Sequence, residues 1–198
     1  KLSDIQYYDG RKIPTKKEAL HEQNINCYTE IAEYVKWNRG ELDPAEKEKE
    51  VNDFTAKVAA VYTNLGNLYI YDATNEKVSF NKNKINAIAF YNKNRLDRLN
   101  IETNKGEGLY QELKRTTSLN IKGKHETKSK AERKVKQSGK FENGKVFISM
   151  LIPDNIRNEM IDQLTINKPT HDDLSDCVIS LLESAESRGV YIGGIGVV

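Results

Sequence analysis

The order of β-rich and helical segments limits the possible folds of this chain most strongly. From Val51 onward, the β-rich runs DFTAKVAAVYT and GNLYIYDA are separated by the tight-turn sequence NLGN, which predicts an antiparallel hairpin. Helical and strand patterns then alternate: NKNKINAIAFYNKNRL is helical, RLNIET is a strand, GEGLYQELKRT is helical, SLNIKG is a strand and ETKSKAERKVKQS is a basic helix. The strand GKVFISM and two further helices complete the order, which predicts an α/β domain with a mixed sheet.

Composition and length fit a single soluble domain. The chain has 198 residues, of which 37% are hydrophobic and 30% charged. No apolar run approaches membrane-spanning length and no signal peptide opens the chain, so we expect no membrane association. Cys27 and Cys177 lack zinc-binding spacing, which favours a reducing, intracellular setting. Because the first residue is Lys1, we expect a fragment or a processed product.

Three aspartates stand at the entrance of the last helix, in the sequence HDDLSDCVISLL. They are Asp172, Asp173 and Asp176. Acidic residues favour helix N-termini, and Thr170 or Asp172 could serve as the N-cap. That explanation accounts for one or two carboxylates better than for three, because adjacent acids repel each other. The alternative is a divalent metal site built from hard oxygen ligands, and this stretch by itself favours neither.

Two further carboxylates are expected near the same place. Glu102 ends the strand LNIE, and Asp43 stands just before the predicted hairpin. Functional groups in open α/β sheets gather at the carboxyl ends of strands. Carboxylates that converge from separate elements are typical of a two-metal phosphodiester site, where Mg²⁺ or Mn²⁺ activates water and stabilises the leaving oxygen.

Basic residues concentrate between residues 122 and 140, although the net charge of the chain is only +2. Such a run is usually a solvated helix face. The alternative is a surface that holds nucleic-acid phosphates.

In their order along the chain, several motifs resemble those of one protein family. The motifs are LDPA, NDFTAKVAAV, GNLYIYDA, IETNKGEGLYQELK, ETKSKAERKVKQSGKFENGKVFIS and HDDLSDCVISLL. Together they are similar to the nuclease domain of the large terminase subunit of tailed bacteriophages, the motor that packages and cuts viral DNA. The resemblance implies an RNase H-like mixed β-sheet flanked by helices, and a Mg²⁺- or Mn²⁺-dependent endonuclease using one or two ions.

The resemblance also implies roles for particular residues. Asp43, Glu102 and Asp173 would be the catalytic acids, and Asp172 would join them as a metal ligand. Asp53, His171 and Asp176 are possible additional site residues. Lys128, Lys130, Arg133, Lys134 and Lys136 would lie on the DNA side of the domain.

The first strand departs from the pattern of the family. It is normally apolar, whereas YVKWNRGEL precedes Asp43 here. Either a short strand built around Val35, Trp37 and Leu42 leads to Asp43, or Asp53 is the first acid. Residues 1–40 are predicted to form a linker or accessory segment, residues 41–187 the nuclease domain and residues 188–198 a C-terminal tail.

The expected substrate is concatemeric double-stranded DNA, cut with low sequence specificity in the cytoplasm of an infected bacterial host. No G-x-x-x-x-G-K-[ST] signature is present, so the terminase ATPase domain would be a partner, as would the portal protein and the small terminase subunit. Two alternatives remain: another RNase H-like nuclease, such as a resolvase or an RNase, or a non-catalytic domain that docks onto DNA or a portal protein.

Overall fold

A mixed β-sheet with helices on both faces forms the centre of the protein in a computed structural model. The structure describes residues 4–10, 12–22, 32–45, 54–166, 169 and 171–186. The strands in these ranges are β1 (Gln6–Tyr8), β2 (Val35–Asp43), β3 (Thr55–Thr63), β4 (Leu68–Glu76), β5 (Arg98–Glu102), β6 (Ile121–Lys124) and β7 (Val146–Ser149). The helices are α1 (Lys16–Glu22), α2 (Phe80–Asn94), α3 (Thr103–Thr116), α4 (Lys130–Glu142), α5 (Asp154–Thr165) and α6 (Asp173–Glu186).

The sheet order places β2 between β3 of the hairpin and β5. The order is β1-β7-β4-β3-β2-β5-β6. Strands β2, β3 and β4 pair antiparallel, as the predicted hairpin requires, while β5 and β6 add in parallel beside β2. The predicted α/β mixed sheet is therefore confirmed, and the carboxyl ends of β2, β5 and β6 share one edge of it.

Each face of the sheet has its own apolar core. On one face, Val58, Ile70 and Ile148 pack with Met160 of α5 and Leu181 of α6. The core of the opposite face lies against α2 and α3 and consists of Leu42, Ala59, Ala87, Phe90, Leu96, Leu99, Ile101, Leu109 and Leu113. Burial of these side chains supplies the main driving force that holds the helices on the sheet.

Strand β2 is central in spite of its polar sequence. Its alternate residues point to opposite faces, and Gly40 lets the side chains of Leu96 and Leu99 approach so closely that a Cβ at Gly40 would meet them at 2.6 and 2.9 Å. On the other face, Arg39 and Glu41 are buried and bond to Ser184 of α6 instead of joining the core. The strand therefore lacks the apolar run that usually marks a buried strand.

Part of the predicted linker or accessory segment takes part in the sheet. Residues 6–8 and 35–40 pair their backbones with β7, β3 and β5, as β1 and the first part of β2. The spacing of NKNKINAIAFYNKNRL predicts that Ile85, Ile88 and Ala89 form the buried face of α2, and this is only partly right. Ala87 and Phe90 are buried on the sheet and Ile88 packs partly against that core, whereas Ile85 is 60% exposed.

Helix α6 buries Leu174, Val178, Leu181 and Leu182, as its spacing predicts, and Cys177 is buried among them. Within the described ranges, no helix is long and apolar enough to cross a membrane.

Candidate metal and phosphodiester site

Asp43 and Glu102 stand side by side at the carboxyl edge of the sheet. Strands β2 and β5 run parallel with Leu42 beside Ile101, so the next residue of each strand brings Asp43 next to Glu102. Glu102 in turn pairs with Lys124 at the end of β6. The structure thus places Asp43 at the end of β2, beside Glu102, the second predicted acid.

The carboxylate of Asp43 is buried without a partner. Its residue is 3% exposed, and neither side-chain oxygen has a hydrogen bond. Burial raises the pKa of Asp43 well above its usual range, and the charges of Glu102 and Asp173 raise it further. A buried acceptor without a donor is costly, so this carboxylate needs either a proton or a cation.

The other carboxylates at this edge share the same electrostatic strain. Burial raises the pKa of Glu102, and the charge of Asp176 adds to the shift. Burial also raises the pKa of Asp173, which opens α6. Because charged carboxylates repel one another here, the cluster favours binding of positive charge.

One lysine already neutralises part of the cluster. Lys130 Nζ, at the start of α4, donates to Asp172 Oδ1 at 2.6 Å and forms an ion pair with Asp176 Oδ2 at 2.5 Å. Burial lowers the pKa of Lys130, but the hydrogen bonds to both aspartates outweigh it and raise the pKa overall, so the ammonium stays charged. The carboxylate of Asp172 therefore binds Lys130. The N–H of Ser175, in the first turn of α6, donates to Gln163 of α5 instead of to Asp172.

The acids provide the oxygen ligands that a divalent ion prefers, but their side chains are not arranged around a common point. Among the residues that the structure describes, no three His, Cys, Asp or Glu side chains are grouped so that they could hold a metal ion as they stand. The orphaned oxygens of Asp43 and the repulsion among its neighbours nevertheless match what Mg²⁺ or Mn²⁺ would satisfy.

Of the possible additional site residues, His171 lies beside the acids of α6. His171 is exposed beside the entrance of α6, with its ring 5.1 Å from the ring of Phe54 in an edge-on contact. Asp53 and Thr170 lie outside the described residues.

The predicted DNA-binding residues separate into two groups. Arg133 is 3% exposed and pairs with Glu183 and Glu126 at 3.1 and 3.4 Å, so its guanidinium faces the protein interior. Lys134 Nζ donates to the carbonyl of Gln163 at 2.9 Å, and Lys130 is held by its aspartates. Lys128 and Lys136 are exposed on the same basic segment.

A buried polar network lies directly behind the acids. Asn100 Nδ2 donates to Glu41 Oε1 at 2.5 Å, and Lys124 Nζ donates to Ser180 Oγ at 2.5 Å and to Glu183 Oε2 at 2.9 Å. The first bond joins β5 to β2, where Glu41 also accepts from Ser184 of α6, and the other two bonds join β6 to α6. They hold α6, and hence Asp173, at a fixed height above the sheet.

Sequence reasoning did not identify this network. Glu41 precedes Asp43 by two residues and therefore shares its face of β2, which is a readable signal. Lys124 ends a strand at the same edge, as Glu102 does. Nothing in the sequence marks Glu126, Ser180 or Glu183, whose contacts depend on how α6 packs.

Comparison with solved structures identifies the fold. No family model and no curated protein matches the chain. The human cytomegalovirus terminase nuclease domain, Mn-soaked and inhibitor-bound, is 17% identical, with a TM-score of 0.55 over 88% of this chain and 95% of that one.

Nuclease domains from two bacteriophages have similar TM-scores. The large terminase nuclease domain of bacteriophage SPP1 with bound Mn is 17% identical, with a TM-score of 0.56 over 92% of this chain and 97% of that one. The nuclease domain of the large terminase subunit of bacterial virus Sf6 is 8% identical, with a TM-score of 0.57 over 75% and 88%. At these identities the likeness shows the fold, which is the RNase H-like fold of terminase nuclease domains.

Proposed function

We propose that this chain is the nuclease domain of a viral DNA-packaging terminase, a metal-dependent endonuclease that cuts concatemeric double-stranded DNA with low sequence specificity. The observation that carries the proposal is the Asp43 carboxylate. It is buried, lacks any hydrogen bond, and lies beside Glu102 at the carboxyl edge of the sheet, facing the acidic entrance of α6. A structural carboxylate would have acquired donors, whereas one reserved for a cation would not.

Asp43, Glu102 and Asp173 would hold one or two Mg²⁺ or Mn²⁺ ions. When bound, such an ion supplies Lewis-acid activation of water and stabilises charge on the leaving oxygen. Asp172 would join the ligands only after Lys130 releases it, since the ammonium now holds its Oδ1 at 2.6 Å.

The residues of the chain perform the positioning. The β2–β5 register fixes the spacing of the first two acids, and the bonds of Lys124 to Ser180 and Glu183 fix α6 over them. Lys130 offsets the charge of Asp172 and Asp176, so that these two acids do not have to bind an ion for the cluster to fold. Phosphates outside the site would meet the exposed Lys128 and Lys136.

The partners and the setting form part of the proposal. The similarity to solved terminase nuclease domains supports DNA as the substrate. The sequence resemblance supports a terminase ATPase domain, a portal protein and a small terminase subunit as partners. The cytoplasm of an infected bacterial host is the proposed location. A docking domain without activity was suggested by the polar first strand, but β2 is nine residues long and brings Asp43 to Glu102.

Plasmid cleavage tests the proposal. Supercoiled plasmid is incubated with Mn²⁺, Mg²⁺ or EDTA and with the wild type, Glu102→Ala or Asp173→Ala. We expect metal-dependent nicking and linearisation by the wild type and at least a ~100-fold loss in both variants, since removal of one electrostatic group of this kind costs about 10²–10³ in rate. Glu107→Ala is the matched control, because Glu107 is exposed on α3. Metal-independent cleavage, or equal cleavage by all variants, would refute the site.

A further inference from the structure

The cations around the acids differ in whether they already have a partner. Lys130 is tied to Asp172 and Asp176, Lys124 to Glu183, and Arg133 to Glu183 and Glu126. Within the described part of the chain, the side-chain ammonium of Lys105 forms no ion pair or hydrogen bond. Lys105 lies in the first turn of α3, three residues after Glu102.

The backbone of Lys105 is nevertheless fixed on both sides. The side chain of Asn104 clasps the backbone of Glu126, donating through Nδ2 to its carbonyl and accepting from its N–H, both at 2.8 Å. Gly106 packs so tightly on Pro44, the residue after Asp43, that a Cβ there would clash with the proline ring. The first turn of α3 is therefore clamped between the ends of β2 and β6.

Lys105 follows Glu102 by one helical turn and precedes Gly106, which packs on Pro44 next to Asp43, so its half-buried side chain starts from a backbone held close to both acids. Its charge lowers the pKa values of Asp43, Glu102 and Asp173 against the larger effect of burial. Lys130 acts on the same three carboxylates but is already held by Asp172 and Asp176, whereas the Lys105 ammonium, among the described residues, has no ion pair. An unpaired ammonium on a backbone that is fixed by its neighbours fits a side chain that binds a ligand, such as an anion, from outside this chain.

We infer that the Lys105 ammonium is a further catalytic residue, which contacts a non-bridging oxygen of the scissile phosphate. This inference rests on the proposed function. Lys105 forms and breaks no covalent bond. It offsets the negative charge that accumulates on the phosphate oxygens as water attacks phosphorus and the bond to the leaving oxygen breaks.

The role predicts opposite effects on metal binding and on cleavage. Lys105→Met removes a positive charge that repels a divalent ion, so the dissociation constant for Mn²⁺, measured by calorimetry without DNA, should stay equal or fall. The single-turnover cleavage rate at saturating Mn²⁺ and DNA should fall by about 10- to 100-fold, since each tenfold corresponds to about 1.4 kcal/mol of transition-state stabilisation. Lys105→Arg should keep the rate within about fivefold of wild type, because guanidinium also binds phosphate.

Lys114→Met is the matched control, because Lys114 lies in the last turn of the same helix, against Tyr110 and away from the acids. It should leave both readouts unchanged. A Lys105→Met rate within twofold of wild type would overturn the inference while leaving the nuclease intact. Parallel loss of Mn²⁺ affinity and cleavage would also overturn it, since that pattern marks a structural role. A wild type that binds Mn²⁺ but cuts no DNA would refute the nuclease itself, and with it the role of Lys105.

Discussion

Asp43→Asn is expected to stabilise the metal-free protein while it abolishes cleavage. The wild-type carboxylate is buried with two unsatisfied oxygens beside other acids. An amide of the same shape carries no charge, so the substitution removes the repulsion and most of the desolvation cost. The amide is itself buried and polar, at a cost of about 1–3 kcal/mol, but an unpartnered charge costs more, and from this difference we expect a gain of about 2 kcal/mol in the free energy of unfolding.

The gain should depend on pH in a defined direction. Because the pKa of Asp43 is raised in the folded state, that state keeps its proton at pH values where the unfolded chain has lost it. The wild type therefore loses stability as pH rises from the unfolded pKa, about 4, towards the folded pKa. Asp43→Asn lacks this loss, so its advantage should be small near pH 4 and largest at pH 8.

Thermal denaturation in EDTA measures the effect. For a domain of this length, about 2 kcal/mol corresponds to a rise of about 4–8 °C in Tm. Asp162→Asn, at an exposed position of α5, should change stability by less than about 0.5 kcal/mol. At an Mn²⁺ concentration 100 times the dissociation constant, the wild type should gain about 2.7 kcal/mol and the variant much less. A variant less stable than the wild type at pH 8 in EDTA would refute the reasoning, since Asp43 would then make stabilising contacts.

Three further predictions concern the frame of the site and its substrate. Gly108→Ala should raise the free energy of unfolding by about 0.5–1 kcal/mol, because its new Cβ would meet Phe80 at an ordinary 3.9 Å. Gly106→Ala should instead lower the free energy of unfolding and slow cleavage, because its new Cβ would displace Pro44. Urea denaturation and plasmid cleavage measure both variants. Arg133→Met should cost about 1–3 kcal/mol in urea denaturation, because it removes a buried guanidinium from Glu183 and Glu126 and leaves Lys124 to pair with both. Arg115→Met, at an exposed ion pair, should cost less than about 0.5 kcal/mol. DNA affinity in Ca²⁺ should fall linearly on a log–log plot against salt, with a slope that becomes shallower by about one for each phosphate-contacting lysine removed; a slope near zero would contradict phosphate recognition.

The sequence predicted the elements whose signals are local. The hairpin, the alternation of later strands and helices, and the buried face of α6 all follow from periodicity and turn residues. The proximity of Asp43 and Glu102 was expected from their places at strand ends and from the resemblance to terminase nuclease domains. The place of β2 at the centre could not be predicted from its own residues, because Arg39 and Glu41 bond to α6 and Gly40 serves close packing on the other face.

The roles of the basic residues depended on tertiary packing. Periodicity cannot tell that Arg133 points towards Glu183 of α6 while Lys128 and Lys136 point outwards. The ion pairs of Lys130 likewise bring together residues more than forty positions apart. Similarly, periodicity does not show that Ala87 and Phe90 of α2 pack with Leu99 and Leu96 while Ile85 is exposed.

A crystal structure with Mn²⁺ would test the central claim most directly. Crystals soaked in Mn²⁺ allow the ion to be located by its anomalous scattering, independently of any activity assay. We predict the strongest peak between the carboxylates of Asp43, Glu102 and Asp173, with Asp43 contributing at least one oxygen. No peak at this edge of the sheet at saturating Mn²⁺, or a peak that leaves Asp43 without a bound ion, would contradict the account.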